Sequence, residues 1–172
     1  SELQDKGVLA NCHVNVLQTQ DHPQFKTYAE ELKWLTTDTT RMTWVANTIK
    51  DIATSGNTLI LVDRISAGEM LEQKIEDSVF VSGSTKNMDR KEQYDEISTA
   101  TNKVIIATYG VAAVGINIPR IFNLVLIEPG KSFVRVIQSI GRGIRKAKDK
   151  DHVEIWDITS SCKFAKRNLT QR

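Results

Sequence analysis

The chain has 172 residues and a mass of 19.3 kDa, the size of one ordinary domain, and 40% apolar with 26% charged residues is enough to bury a core. No apolar run approaches the roughly 20 residues of a membrane-spanning helix, and Cys12 and Cys162 stand far apart, outside any C-x-x-C pair, so a membrane span, a disulfide framework and a zinc ribbon are excluded. The net charge of +2 hides a polarity: residues 1–130 hold 12 Lys/Arg against 17 Asp/Glu, and residues 131–172 hold 11 against 4. A basic end of this kind suits a polyanion, although a solvated lysine-rich face has the same composition.

In chain order, Val14, Val16 and Leu17 predict a short strand, followed by helices around Thr27 to Leu35 and Thr40 to Ala53. Trp34 and Trp44 are expected to pack these helices onto a sheet, the usual fate of a helical tryptophan. Leu59 to Val62 is a continuous apolar run after the turn-like Ser55-Gly56-Asn57. Ser66-Ala67-Gly68-Glu69 then has the form of a capping box opening a helix that carries Met70, Leu71 and Ile75. Strands are expected at Val79–Val81, Val104–Ala107, Leu124–Ile127 and Val153–Ile158. A polar helix is expected around Asp89 to Ile97, with a turn at Thr99 to Asn102. Phe133, Ile137, Ile140 and Ile144 recur at helical spacing. Strands apolar throughout and separated by helices imply a parallel sheet covered on both faces.

Several nucleotide-binding patterns fail on inspection. Gly130-Lys131-Ser132 follows a strand, but Val125 occupies the place of the first Walker A glycine, so no phosphate cradle forms and Ser132 reads as a helix cap. Gly110 and Gly115 are too far apart for a dinucleotide fingerprint. No acidic pair follows an apolar strand as a Walker B magnesium site would. The three histidines (His13, His22, His152) never fall at metal-ligand spacing, so no metal site is expected.

The informative run is Gln138-Ser139-Ile140-Gly141-Arg142-Gly143-Ile144-Arg145. Arginines three apart share one side of a helix, and guanidinium forks suit the oxygens of a transferring phosphoryl group. Gly141 and Gly143 inside a helix cost about 1 kcal/mol each, which implies a close approach to the backbone.

This run resembles motif VI of superfamily 2 helicases, a feature of their second, C-terminal RecA-like lobe. Residues 107–117 (ATYGVAAVGIN) resemble motif V, and LILVDR (59–64) and FVSGST (80–85) resemble motifs IV and IVa. The order and spacing match the family over about residues 57–158, and within it the look is nearest to the phage UvsW-type DNA helicases. Two departures stand out. Asn117 replaces the aspartate that commonly ends motif V, and the segment from Thr108 to Gly115 is one residue longer than in the RNA-unwinding DEAD-box branch.

The resemblance implies an α/β fold, a RecA-like parallel sheet with helices on both faces, of P-loop NTPase type but lacking its own P-loop. Residues 1–56 would be a lead-in from a first lobe plus helices packing on the sheet, and residues 57–172 the lobe itself. Arg142 and Arg145 would be arginine fingers for ATP, with Gln138 orienting the site. Gly115 and Asn117 would contact the nucleotide edge. Thr108, Gly110, Ser82, Gly83 and Ser84, at carboxyl ends of parallel strands where ligands bind such sheets, would hold the nucleic-acid backbone.

ATP and Mg2+, bound mainly by the first lobe, and DNA read without regard to sequence are the implied ligands. The implied function is the C-terminal motor lobe of an ATP-dependent DNA helicase of recombination, repair or branch migration, inactive as an ATPase on its own. The polar N-terminus, which lacks a hydrophobic signal, and the cysteine usage suggest the cytoplasm of a bacterial or phage-infected cell. The alternative is a RecA-like nucleic-acid-binding module without motor activity.

Overall fold

The computed structural model describes residues 12–82, 102–115, 121–131, 137–138 and 152–172. The expected polar helix at 89–97, most of the turn at 99–102, the Ser132 cap and the 133–144 helix apart from Ile137 and Gln138 lie outside the described residues.

Six strands, β1 (Cys12–Thr19), β2 (Thr58–Val62), β3 (Ser78–Val81), β4 (Val104–Thr108), β5 (Asn123–Ile127) and β6 (Val153–Ser160), form one sheet in the order β1-β6-β5-β2-β4-β3. Every pairing is parallel. The described helices are α1 (Tyr28–Thr37), α2 (Thr39–Ala53), α3 (Ile65–Lys74), α4 (Tyr109–Gly115) and α5 (Lys163–Gln171).

The apolar runs are continuous because both faces of the sheet are covered. All five residues of β2 and of β5 are buried. Alternate side chains serve opposite faces: Leu59, Leu61, Ile105, Ala107, Leu124 and Leu126 form one core with Val111 and Ala112 of α4, Ile121 and Ile137. Ile60, Val62, Val104, Ile106, Val125 and Ile127 form the other beneath α2 and α3. Each such Leu, Ile or Val contributes about 1.5–3 kcal/mol relative to an exposed position.

Helix α2 buries Met42, Val45, Ala46, Ile49, Ile52 and Ala53, a stripe at 3.6-residue spacing, and is capped by Asp38, whose carboxylate accepts the Arg41 N–H at 3.0 Å. In α1 the Thr27 hydroxyl accepts the Glu30 N–H at 3.2 Å. Glu31, fully buried in α1, accepts the Phe164 and Ala165 N–H groups at 2.9 and 2.7 Å and so latches α1 to the first turn of α5.

Two local expectations fail. The capping box is not made: α3 begins at Ile65 with Arg64 in the cap position and no side-chain cap bond. The chain passes from β2 into the helix through Asp63 and Arg64, which places Ser66 already inside the first turn. Gly68 has a different role, since a Cβ there would run into the Phe80 ring of β3. Nor do the tryptophans pack on the sheet. Trp34 meets Phe25 with ring centroids 5.9 Å apart beside Leu35, Cys162 and Ala165, and Trp44 is 44% exposed. The inward stripe of α2 is already filled by the aliphatic residues, and Trp44 falls beside it.

Candidate functional site

The carboxyl ends of the strands make one edge of the molecule. Val81 pairs with Ala107 and Val62 with Thr108, so Ser82, Thr108 and Asp63 leave three neighbouring strands at nearly the same level. Ser82 is buried and Thr108 half-buried. The Thr108 hydroxyl oxygen accepts the Val111 N–H at 3.3 Å, which caps the start of α4; its own hydrogen remains a donor for a further oxygen. Gly110 is exposed, and a Cβ built there would meet nothing within 4 Å, so its backbone faces open space. Gly115 closes α4. Gln138 is helical and half-buried, next to Ile137, which is fully buried in the core against β5. Gly83, Ser84, Asn117, Arg142 and Arg145 lie outside the described residues.

Sequence reasoning passed over the polar groups beneath this edge. Tyr109 reaches from α4 to donate its hydroxyl to the Ile127 carbonyl of β5 at 3.0 Å. Burial, and then the negative charges of Asp157, Glu128 and Asp63, push the phenol well above its usual range, so it stays a neutral donor. This bond ties the Thr108–Gly110 turn to the strand that runs on towards Gln138.

Just past β5, Glu128 takes a left-handed backbone conformation, φ 47°, rare for a residue with a Cβ. Its buried carboxylate accepts from Arg41 Nη2 at 2.8 Å and from the Thr159 hydroxyl at 2.9 Å. Burial outweighs these bonds and pushes its pKa up to about 7. Arg41 also donates to the Leu35 carbonyl at 2.6 Å, to the Thr19 hydroxyl, and to Asp21 at 3.4 Å. The guanidinium therefore knits β1, α1, α2, β5 and β6 together. On β6, Asp157 forms a buried two-point pair with Arg172, at 2.7 and 2.8 Å. A charged residue at the end of an apolar strand, as at Glu128, was the one sequence signal for this layer.

Among the described residues no group of three His, Cys, Asp or Glu side chains could hold a metal ion, and no helix among them is long and apolar enough to cross a membrane. For a nucleotide, the donor set expected here consists of amides, guanidinium groups and glycine backbone, which fits phosphate and ribose oxygens.

The model of the helicase conserved C-terminal domain matches residues 40–147. The chain belongs to that family. It is similar to the ATP-dependent DNA helicase UvsW of Enterobacteria phage T4, at 27% identity over 94% of this chain and 34% of the phage protein. The crystal structure of T4 UvsW superposes with a TM-score of 0.74, at 26% identity over 88% of this chain and 33% of that one. The C-terminal part of the Fun30 ATPase domain matches in fold, with a TM-score of 0.62 at 16% identity over 73% of this chain and 44% of that one. The chain thus spans about a third of the length of UvsW. Its parallel sheet between helices is the RecA-like architecture of helicase C-terminal lobes.

Proposed function

We propose that this chain, over residues 57–172 with residues 1–56 leading in, is the C-terminal motor lobe of an ATP-dependent DNA helicase or branch-migration translocase, acting in recombination or repair. The observation that carries the reading is the carboxyl-end edge of the sheet, where Ser82, Thr108 and Gly110 stand together and Tyr109 bonds the strand leading to Gln138. The likeness to UvsW over 94% of the chain supports DNA as the nucleic acid.

In this reading Thr108, Gly110 and the Ser82–Ser84 loop hold the DNA backbone, by hydroxyl and N–H groups that carry no sequence preference. Arg142 and Arg145 present guanidinium groups to the phosphates of ATP, Gln138 orients them, and Gly115 and Asn117 meet the nucleotide edge. A first RecA-like lobe supplies the phosphate cradle and the Mg2+ ligands. The setting is the cytoplasm of a bacterial or phage-infected cell.

The test uses the protein in which this lobe is joined to a P-loop lobe. Arg142→Ala or Arg145→Ala is expected to lower DNA-stimulated ATP turnover by roughly 10³–10⁵ while DNA binding, read by fluorescence anisotropy, is largely kept. Arg145→Lys should rescue poorly, because an ammonium lacks the planar fork. Near-normal ATPase rates in both alanine variants would leave a nucleic-acid-binding module without a motor role. Binding itself should be indifferent to sequence, weakening roughly 7- to 40-fold over a fourfold rise in salt if two or three phosphates are met.

A further inference from the structure

Beyond the motor reading lies a cleft of about 550 Å³ that none of the residues assigned above explains. It opens at the carboxyl end of β1, between Thr19–Pro23 and the junction of α1 with α2, and Trp34, Trp44, Asp21, Asp38 and Arg41 line it. Trp44 leaves 44% of its surface in water although the adjoining stripe of its helix is fully buried. A single exposed indole is ordinary, but Trp44 shares the cleft with Trp34, and an aromatic-walled concavity with a few polar groups is the usual form of a binding site.

We infer that this cleft receives an arginine side chain from a partner protein segment, stacked on the tryptophans and paired with the carboxylates. The charge on the walls decides the class of occupant. Asp21 and Asp38 stand against Arg41 and the imidazole of His22, and Arg41 is 5% exposed and already engaged by Glu128, Asp21 and the Leu35 carbonyl. With the histidine counted as neutral, the lining carries one net negative charge. Burial works against ionisation of Asp21, yet hydrogen bonds from Ser160 and Thr19 and the charge of Arg41 hold its pKa below the usual carboxylate value. The positive end of α2 offers an anion little, because the Asp38 carboxylate already accepts the Arg41 N–H there. A nucleotide would bring phosphates to this acidic rim, where His22 is the one described basic lining group left to meet them. A guanidinium matches both features, since it stacks on indole faces and forks onto a carboxylate, and it is more weakly hydrated than an ammonium.

The full chain, labelled with nitrogen-15, supplies its own control. Of its three tryptophans, Trp156 lies away from the cleft with its indole N–H bonded to Asn123 at 3.3 Å. Titration with acetyl-Gly-Arg-Gly-amide is expected to move the Trp34 and Trp44 indole signals saturably and leave Trp156 in place. The citrulline counterpart, equal in shape but uncharged, should bind at least several-fold more weakly. Trp44→Ala should weaken the arginine peptide by roughly 2- to 30-fold. Asp38→Asn keeps a cap of similar quality while removing a charge, and should also weaken it; an unchanged Trp156 signal reports that either variant is folded. Silence of the two indoles, equal binding of citrulline, or movement caused by oligo-dT in place of the peptide would each overturn the proposal. None of these outcomes depends on ATP turnover, so the motor reading stands or falls separately.

Discussion

Two glutamates at opposite ends of the sheet contrast usefully. Near the amino end of β6, Glu154 accepts from His152 at 2.7 Å, Asn15 at 2.7 Å and His13 at 3.0 Å. Past the carboxyl end of β5, Glu128 accepts from Arg41 and Thr159 at similar distances. The partners are comparable, and the outcomes are opposite. Glu128, 6% exposed, is pushed up to about 7 by burial, against the pull of its partners. Glu154, with 31% of its side chain in water, suffers some upward push from burial, but hydrogen bonds from His152, Asn15 and His13 win and bring it down to about 2. Depth decides whether a well-partnered carboxylate is costly or easy to ionise.

The contrast breaks most visibly at Arg41. Its removal leaves the buried Glu128 and the half-buried Asp21 without their cation, and several carbonyl and hydroxyl oxygens without a donor. Arg41→Ala is expected to cost about 3–5 kcal/mol in urea denaturation at neutral pH. Arg41→Lys should recover only part of this, since one ammonium cannot reach the Leu35 carbonyl, Thr19 and Glu128 as the planar fork does. A loss below about 1 kcal/mol for the alanine variant would mean that water replaces the guanidinium and that the network is not a structural centre.

Glu128 itself sharpens the comparison through pH. Its folded pKa of about 7 lies above the ordinary 4.5, so between those values the folded state holds a proton that the unfolded chain has released. Its contribution is fully present below about pH 4.5 and is lost as the pH rises through 7. Glu128→Gln, which keeps the shape, should flatten the difference curve across that window by about 1–3 kcal/mol relative to the parent chain. Identical slopes in parent and variant would show that Arg41 keeps Glu128 ionised throughout.

Neither glutamate's fate was legible in the sequence. The strands were: β2 and β5 are buried on both faces, and that burial demands continuous apolar residues whose runs stand out. The carboxyl-end edge was legible as a place in the fold for the same reason, because Ser82, Thr108 and Gly110 follow such runs. Arg41 and Glu128 are 87 residues apart, and no local pattern records that the fold will join them. Trp44 misled because helical spacing identifies a stripe without saying which large residue falls outside it. Ser66 misled because a capping box specifies a pattern of side chains, whereas the entry of the chain from β2 sets where the helix begins.

The smallest expected effect lies at Glu154, and its sign is the reverse of that at Glu128. A folded pKa of about 2 lies below the ordinary 4.5, so the folded state releases its proton first and gains stability above pH 4.5. That gain is lost as the pH falls from 4.5 towards 2. His13 and His152 are 63% and 46% exposed on their side chains, so water and salt screen the cluster and hold its contribution to about 1 kcal/mol or less. Glu154→Gln should therefore change stability little at pH 7, reduce the acid-side loss between pH 4.5 and 3, and do so less at high salt. Salt separates the two sites: the Glu154 effect should shrink between low and molar salt while the Arg41 effect persists, because buried pairs are screened far less. If both effects fell together, depth would not be the distinction between the two ends of the sheet.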